Sequence, residues 1–181
     1  MKYNKVITLK DKRECTIRNG EYKDGAICLE LFNKTHEETD YLFTYPEEST
    51  RTVEGESEFL QGLTDGDSGI EMVCMLDGKC VGMAGFDCVR DNIKTRHRAE
   101  FGVSVLKDYW GLGVGRKLCE ACIECAKMAG YEQLELDVVS ENKRALALYE
   151  SLGFVEYGRN PRGFKSKYTG YQELVYMRLE L

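Results

Sequence analysis

The sequence predicts one α/β domain over residues 1–181, a mixed sheet carrying helices. Three features point there. Two strand-like runs, Ile70–Leu76 and Lys79–Cys88, flank the hairpin signal Asp77-Gly78. Arg96–Val105 alternates, with Ala99, Phe101, Val103 and Val105 on one side and Arg98, Glu100, Gly102 and Ser104 on the other. A glycine-rich loop then leads from that strand into a helix and back to a further strand, a crossover of the α/β kind.

The other elements follow in chain order. Lys5–Leu9 and Glu14–Arg18 read as short strands around the turn Lys10–Arg13. Asp24 to about Thr39 reads as a helix through Ile27, Leu29, Leu31 and Phe32. Tyr41–Tyr45 is aromatic-rich and stops at Pro46. Glu54–Leu63 is a second helix, with Phe59, Leu60 and Leu63 on one face. Thr64–Gly69 is a loop by composition. Lys107–Arg116 is the glycine-rich loop. The helix it opens shows an apolar face of Leu118, Cys119, Cys122, Ile123, Ala126 and Ala129, and Gly130 ends it. Gln133–Val138 is a strand and Asn142–Leu152 a helix capped by Gly153; Phe154–Arg162 and Tyr168–Leu181 are the last strands.

Bulk properties bound the function. Hydrophobic residues make up 43% and charged residues 31%, a balance suited to a packed core. A net charge of −6 argues against a nucleic-acid scaffold, which would present a basic face, and mildly favours a cationic partner. No run approaches the roughly 18 apolar residues of a membrane span. Met1–Lys5 lacks the apolar core of a secretion signal. The eight cysteines therefore read as reduced thiols of a cytoplasmic protein. Cys119, Cys122 and Cys125 fall within an amphipathic helix without the second ligand pair a zinc or iron–sulfur site needs, so they read as core. His36 and His97 lack a paired spacing and read as surface residues.

The loop Tyr109-Trp110-Gly111-Leu112-Gly113-Val114-Gly115-Arg116 carries the chemistry. Close glycines let the backbone approach a ligand, and the helix N-terminus adds partial positive charge, which together make a phosphate cradle. The spacing is not that of a P-loop. It is not the dinucleotide fingerprint either, whose third glycine would fall on Arg116 or Leu118.

The segment Val105–Leu118 closely resembles the acetyl-CoA motif of the GNAT superfamily, Gln/Arg-x-x-Gly-x-Gly/Ala, with Trp110 in the Gln/Arg place. That exchange removes one side-chain donor and leaves the phosphate-facing backbone intact. Downstream, Asn142-Lys143-Arg144-Ala145-Leu146-Ala147-Leu148-Tyr149-Glu150-Ser151-Leu152-Gly153-Phe154 resembles the family's Asn-x-x-Ala-x-x-Leu-Tyr-x-x-x-Gly-Phe. The resemblance covers about residues 70–181. It implies a mixed, mostly antiparallel twisted sheet with helices on both faces, and transfer of an acetyl group from acetyl-CoA to a primary amine of a small molecule or peptide by direct attack in a ternary complex. It implies no metal, and a homodimer is an expectation because relatives often dimerise.

Residue roles follow from the same resemblance. Val103, Ser104 and Val105 would pair with the pantetheine arm through their backbone. Gly111, Leu112, Gly113, Val114, Gly115 and Arg116 would hold the pyrophosphate, and Asn142 would bond the pantetheine. Tyr149 would sit near the sulfur as candidate acid, since a phenol can protonate a leaving thiolate. Glu100 is the candidate base, through a water, with Glu71 as the alternative. The acidic stretch Glu37–Glu58 reads first as solvated helix and loop surface, and second as the border of an acceptor site that would steer a cationic amine. Arg159, Arg162, Lys165 and Lys167 would face the CoA 3′-phosphate or only water. Two other functions remain open: an acyl-CoA-binding regulatory module without catalysis, and nucleotide binding through the glycine loop.

Overall fold

The computed structural model describes residues 1–181. Eight strands form one sheet: β1 (Asn4–Thr8), β2 (Glu14–Asn19), β3 (Ile70–Leu76), β4 (Lys79–Cys88), β5 (Arg98–Val105), β6 (Gln133–Val139), β7 (Val155–Ser166) and β8 (Gly170–Glu180). Four α-helices accompany them: α1 (Gly25–Glu38), α2 (Val53–Asp65), α3 (Val114–Met128) and α4 (Lys143–Ser151). The strand order is β1-β2-β3-β4-β5-β6-β8-β7, and every neighbouring pair is antiparallel except β5 with β6. The expected mixed, mostly antiparallel sheet is present.

The helices divide between the two faces. Leu118, Cys119, Cys122 and Cys125 of α3 pack with Met72, Ala84 and Phe101 in the larger core cluster, which also takes in Tyr149 of α4. Cys28 and Leu31 of α1 and Leu60 of α2 meet Val73 and Met83 in the other. The three α3 cysteines are buried apolar packing, as expected, and burial raises each thiol's pKa.

Element boundaries moved for local reasons. β5 starts at Arg98 rather than Arg96 because Thr95 and Arg96 both donate their N–H to the Asn92 carbonyl, closing a turn. Asn142 is the cap of α4 rather than its first residue, its Oδ1 accepting from the Ala145 N–H at 3.2 Å. β8 starts at Gly170, whose φ of +79° makes the turn out of β7.

One irregularity positions everything that follows. β5 pairs with β4 along its whole usable length, Ala99 through Val105. Its pairing with β6 stops at Glu100↔Glu135. Beyond that row the two parallel strands part, and the β5 edge from Phe101 onward has no strand beside it. Unpaired backbone donors and acceptors of this kind need a partner.

Candidate active site

Two cavities meet at the splayed end of β5. The first, about 650 Å³, is lined by Val103, Ser104 and Val105, by the glycine loop, and by the start and inner side of α4. The second, about 430 Å³, lies on the α1–α2 side of the sheet. Val103, Ser104 and Leu42 line both.

The glycine loop folds as its composition demands. Gly111 and Gly113 take φ of +83° and +98°, in the region that favours glycine. Gly113 is the N-cap of α3, so the first N–H groups of that fifteen-residue helix open toward the first cavity. Gly115 is helical; a Cβ there would meet only Leu148 and Val105, at an ordinary 3.7 Å. Gly111, Gly113, Val114, Gly115 and Arg116 all line this cavity. Leu112 does not: its carbonyl turns away to accept the Lys10 N–H at 3.0 Å.

Charge in this cavity suits a phosphate ligand. Lys10, Arg116, Lys143 and Arg144 line it against the single carboxylate of Glu141. Arg116 donates to Ser151 Oγ at 2.5 Å and so is held between α3 and α4. The basic set nearer the C-terminus is elsewhere. Arg159 pairs with Glu156 and Glu173, Lys167 pairs with Glu47, and Arg162 and Lys165 lie over Tyr171. None of these four lines the first cavity, whose basic residues are Lys10, Arg116, Lys143 and Arg144.

Trp110 has a role the motif alone did not reveal. Its indole N–H donates to the Val105 carbonyl at 2.7 Å, and Arg144 stacks on the ring at 4.7 Å. The side chain thus ties the loop to the last residue of β5. Of the three residues expected to meet a pantetheine arm, Val105 has its carbonyl already bonded. Asn142 lines the cavity, but its Oδ1 is spent on the α4 cap.

Tyr149 sits where the cavity narrows into the core. It is 8% exposed and packs near-perpendicular to Phe101 at 6.3 Å and tilted against Phe154 at 5.8 Å. Burial raises its phenol pKa well above the ordinary value, with no hydrogen bond among the causes. A phenol held this way rests in its protonated form and has an O–H to donate.

The second cavity holds the carboxylates. Glu100 is exposed on its wall, and Arg98, which could have paired with it, instead grips Glu135 across β5 and β6. Glu71 lines the cavity from β3, and burial first, then the like charge of Glu56, pushes its carboxyl up to about 8. Glu56 is 3% exposed; one oxygen binds Arg51 at 2.8 Å and the other has no partner. Arg51 in turn lies over Phe32 at 4.5 Å.

Of the acidic stretch Glu37–Glu58, only Glu56 lines this cavity. Glu38 accepts the Lys107 N–H, Glu47 pairs with Lys167, and Glu54 accepts from Tyr22. Asp40 accepts from Ser166, Thr169 and Gln172 and fastens the α1–α2 connection to the β7–β8 hairpin. His36 differs from its expected surface position. It is half-buried in the cavity wall, tilted against Phe32 with ring centres 3.9 Å apart, and its Nδ1 contacts the Phe32 carbonyl at 2.6 Å.

Comparison with known proteins agrees with this geometry. Residues 29–154 match the model of the acetyltransferase (GNAT) family. The chain belongs to the GNAT family. An uncharacterised N-acetyltransferase of Methanocaldococcus jannaschii is 34% identical over 143 residues, 78% of this chain and 61% of that protein. The L-amino acid N-acyltransferase MnaT of Escherichia coli is 33% identical over 105 residues, 58% of this chain and 60% of that protein. The match thus spans about 60% of the length of either curated relative. The crystal structure of a GNAT-family acetyltransferase from Streptococcus pneumoniae superposes with a TM-score of 0.88 at 28% identity, covering 92% of this chain and 99% of that one. The splayed β5–β6 pair and the glycine loop border the first cavity, and the α1–α2 side of the sheet borders the second. No helix is long and apolar enough to cross a membrane.

Proposed function

We propose that this chain is an acetyl-CoA-dependent N-acetyltransferase acting on a primary amine of a small molecule or peptide, with donor and acceptor bound together. The observation that carries the reading is the unpaired edge of β5 running directly into a helix N-terminus. That edge offers hydrogen bonds to an amide-bearing arm. The backbone N–H groups of α3, with Lys10, Arg116, Lys143 and Arg144, suit a pyrophosphate at the end of the arm. The cavity therefore fits an extended molecule with phosphate at one end, and acetyl-CoA supplies a thioester at the other.

In this reading the first cavity is the donor cavity and the second the acceptor cavity; direct transfer needs the amine and the thioester at one point, and the two share only the Val103–Ser104 region and Leu42. Tyr149 lines the donor cavity and supplies the acid. A carboxylate of the acceptor cavity takes the ammonium proton, and both sequence candidates, Glu100 and Glu71, line it. The carboxylates of Glu56, Asp87 and Glu100 against the one guanidinium of Arg51 favour a cationic amine.

The test is CoASH release over a panel of amino acids, polyamines, aminoglycosides and peptide N-termini, alongside calorimetry with acetyl-CoA, ATP and NAD. Binding of acetyl-CoA alone, with CoASH released by at least one amine, is the expected result. Acetyl-CoA binding without release under any amine would make the chain a regulatory acyl-CoA binder, and preference for ATP or NAD would discard the donor assignment.

A further inference from the structure

Across three neighbouring strands, one row of residues faces the acceptor cavity. Glu71 of β3 stands opposite Gly85 of β4, and Gly85 opposite Gly102 of β5. The two glycines are what make the row useful. A Cβ on Gly85 would lie 2.3 Å from Glu71 Oε2, so the carboxylate rests directly over that residue's bare backbone. A Cβ on Gly102 would meet nothing within 4 Å. With strands about 4.8 Å apart, the carboxylate therefore sits roughly 5 Å from Gly102 over an open floor. Two residues further along β5 lies Ser104, at the junction with the donor cavity. Glu100 is on the same face but two residues from Gly102 in the opposite direction, away from that junction.

From this row and from the buried Glu56, paired beside it with the exposed Arg51, we infer that Glu71 is the base that receives the acceptor's ammonium proton, and that Glu56 and Arg51 set when it can do so. The inference rests on the proposed acetyl transfer and goes beyond it by choosing the base and its controls. Glu71 takes one proton from the R–NH3⁺ group. The freed nitrogen pair forms the C–N bond as the C–S bond breaks, its electron pair leaving on sulfur. Tyr149 gives that sulfur a proton and regains one from the nitrogen, which becomes an amide. Glu71 then passes its proton to solvent, so one proton and CoASH are released for each amide formed.

The charged surroundings set the pH at which this works. Glu56 from α2 is a like charge and raises the Glu71 pKa, while Arg51, just before α2, opposes it. From α1, Cys28 and His36 are kept neutral near pH 7 by burial, which raises the thiol and lowers the imidazole. From β4, Cys80 is likewise raised by burial, and Asp87 and Cys88 line the far wall; β5 contributes Glu100. A carboxyl titrating at about 8 matches a base meant to work near neutral pH.

The experiment compares wild type with Glu71→Gln, Glu71→Asp, Glu56→Gln, Arg51→Met and Glu100→Gln, using the best amine from the panel. Each variant is checked for acetyl-CoA affinity by calorimetry, to separate chemistry from folding and donor binding. Glu71→Gln is expected to lower kcat/KM about 100-fold or more with donor affinity unchanged, and Glu71→Asp to recover part of it. The acidic limb of the kcat/KM profile is expected to move to lower pH in Glu56→Gln and to higher pH in Arg51→Met. Glu71→Gln within threefold of wild type, or limbs that stay fixed in both neighbour variants, would overturn the assignment. Loss confined to Glu100→Gln would give the role to Glu100 and leave the acetyl-transfer reading standing. Wild type inert toward every amine would remove both.

Discussion

Replacing Tyr149 by Phe separates two roles that the wild-type residue combines. The ring belongs to the core: it meets Phe101 and Phe154 at 6.3 and 5.8 Å, and Phe keeps both contacts. The hydroxyl makes no hydrogen bond that contributes to its titration, so its removal leaves no buried partner unsatisfied. The stability change should therefore stay below about 1 kcal/mol, since the usual penalty for breaking a buried polar pair does not arise. Catalysis is a different matter. A positioned acid contributes about 10²-fold or more, and 10²-fold corresponds to about 2.7 kcal/mol in the barrier. The expected result is kcat lowered about 100-fold, with acetyl-CoA affinity and thermal midpoint close to wild type. The assay is thiol release under saturating donor, with calorimetry for binding and a melting curve for the fold. Unchanged kcat with the preferred amine would refute the acid role. A large fall in melting temperature would refute the claim that the hydroxyl is structurally idle.

Four further outcomes follow from the same geometry. Gly113→Ala forces an alanine to φ +98° and should cost about 1–2 kcal/mol in denaturant unfolding; Gly115→Ala meets no clash, so it should leave stability equal or slightly raised while weakening acetyl-CoA binding in calorimetry. Gly102→Leu fills open space beside Glu71, so the amine KM should rise at least tenfold while the KM for acetyl-CoA changes little in steady-state kinetics. Stability should also report on Glu71: its carboxyl titrates at about 8 in the fold and at about 4.5 unfolded, so between those values the folded state holds more protons. Stability from this group is then fully present below pH 4.5 and lost as pH climbs toward 8. Glu71→Gln cannot ionise, and melting curves from pH 5 to 8 should show its advantage over wild type widening with pH; parallel curves would contradict the burial of the charge.

The fold was legible because its signals are local. The Asp77-Gly78 turn, the alternation through Ala99, Phe101 and Val103, and the apolar spacing of α3 each lie within a dozen residues, and β3 and β4 begin and end where the sequence predicts. The glycine loop was legible for the same reason: Trp110 to Arg116 is one contiguous turn joining a strand to a helix. The details that were not legible depend on which atoms meet once the chain is folded. The Leu112 carbonyl turns to Lys10, about a hundred residues earlier, and the Trp110 indole bonds back to the Val105 carbonyl. Neither contact is written in the spacing of the motif.

The acceptor cavity shows the limit most clearly. Glu71 and Glu100 are both polar residues on strands, and alternation assigns each a face without saying what lies over it. The difference appears only when β3, β4 and β5 are set in register, because that register places Gly85 and Gly102 beside Glu71. The charge that tunes it comes from α2, and the counter-charge from Arg51 in the connection that precedes it. A glycine in a strand usually weakens it, through lost packing and higher chain entropy. Here two glycines on neighbouring strands leave bare backbone, under the Glu71 carboxylate at Gly85 and under open space at Gly102. Strand glycines aligned in one row with a half-buried carboxylate are thus the trace this site leaves in the sequence, and recovering it requires the pairing register rather than any single motif.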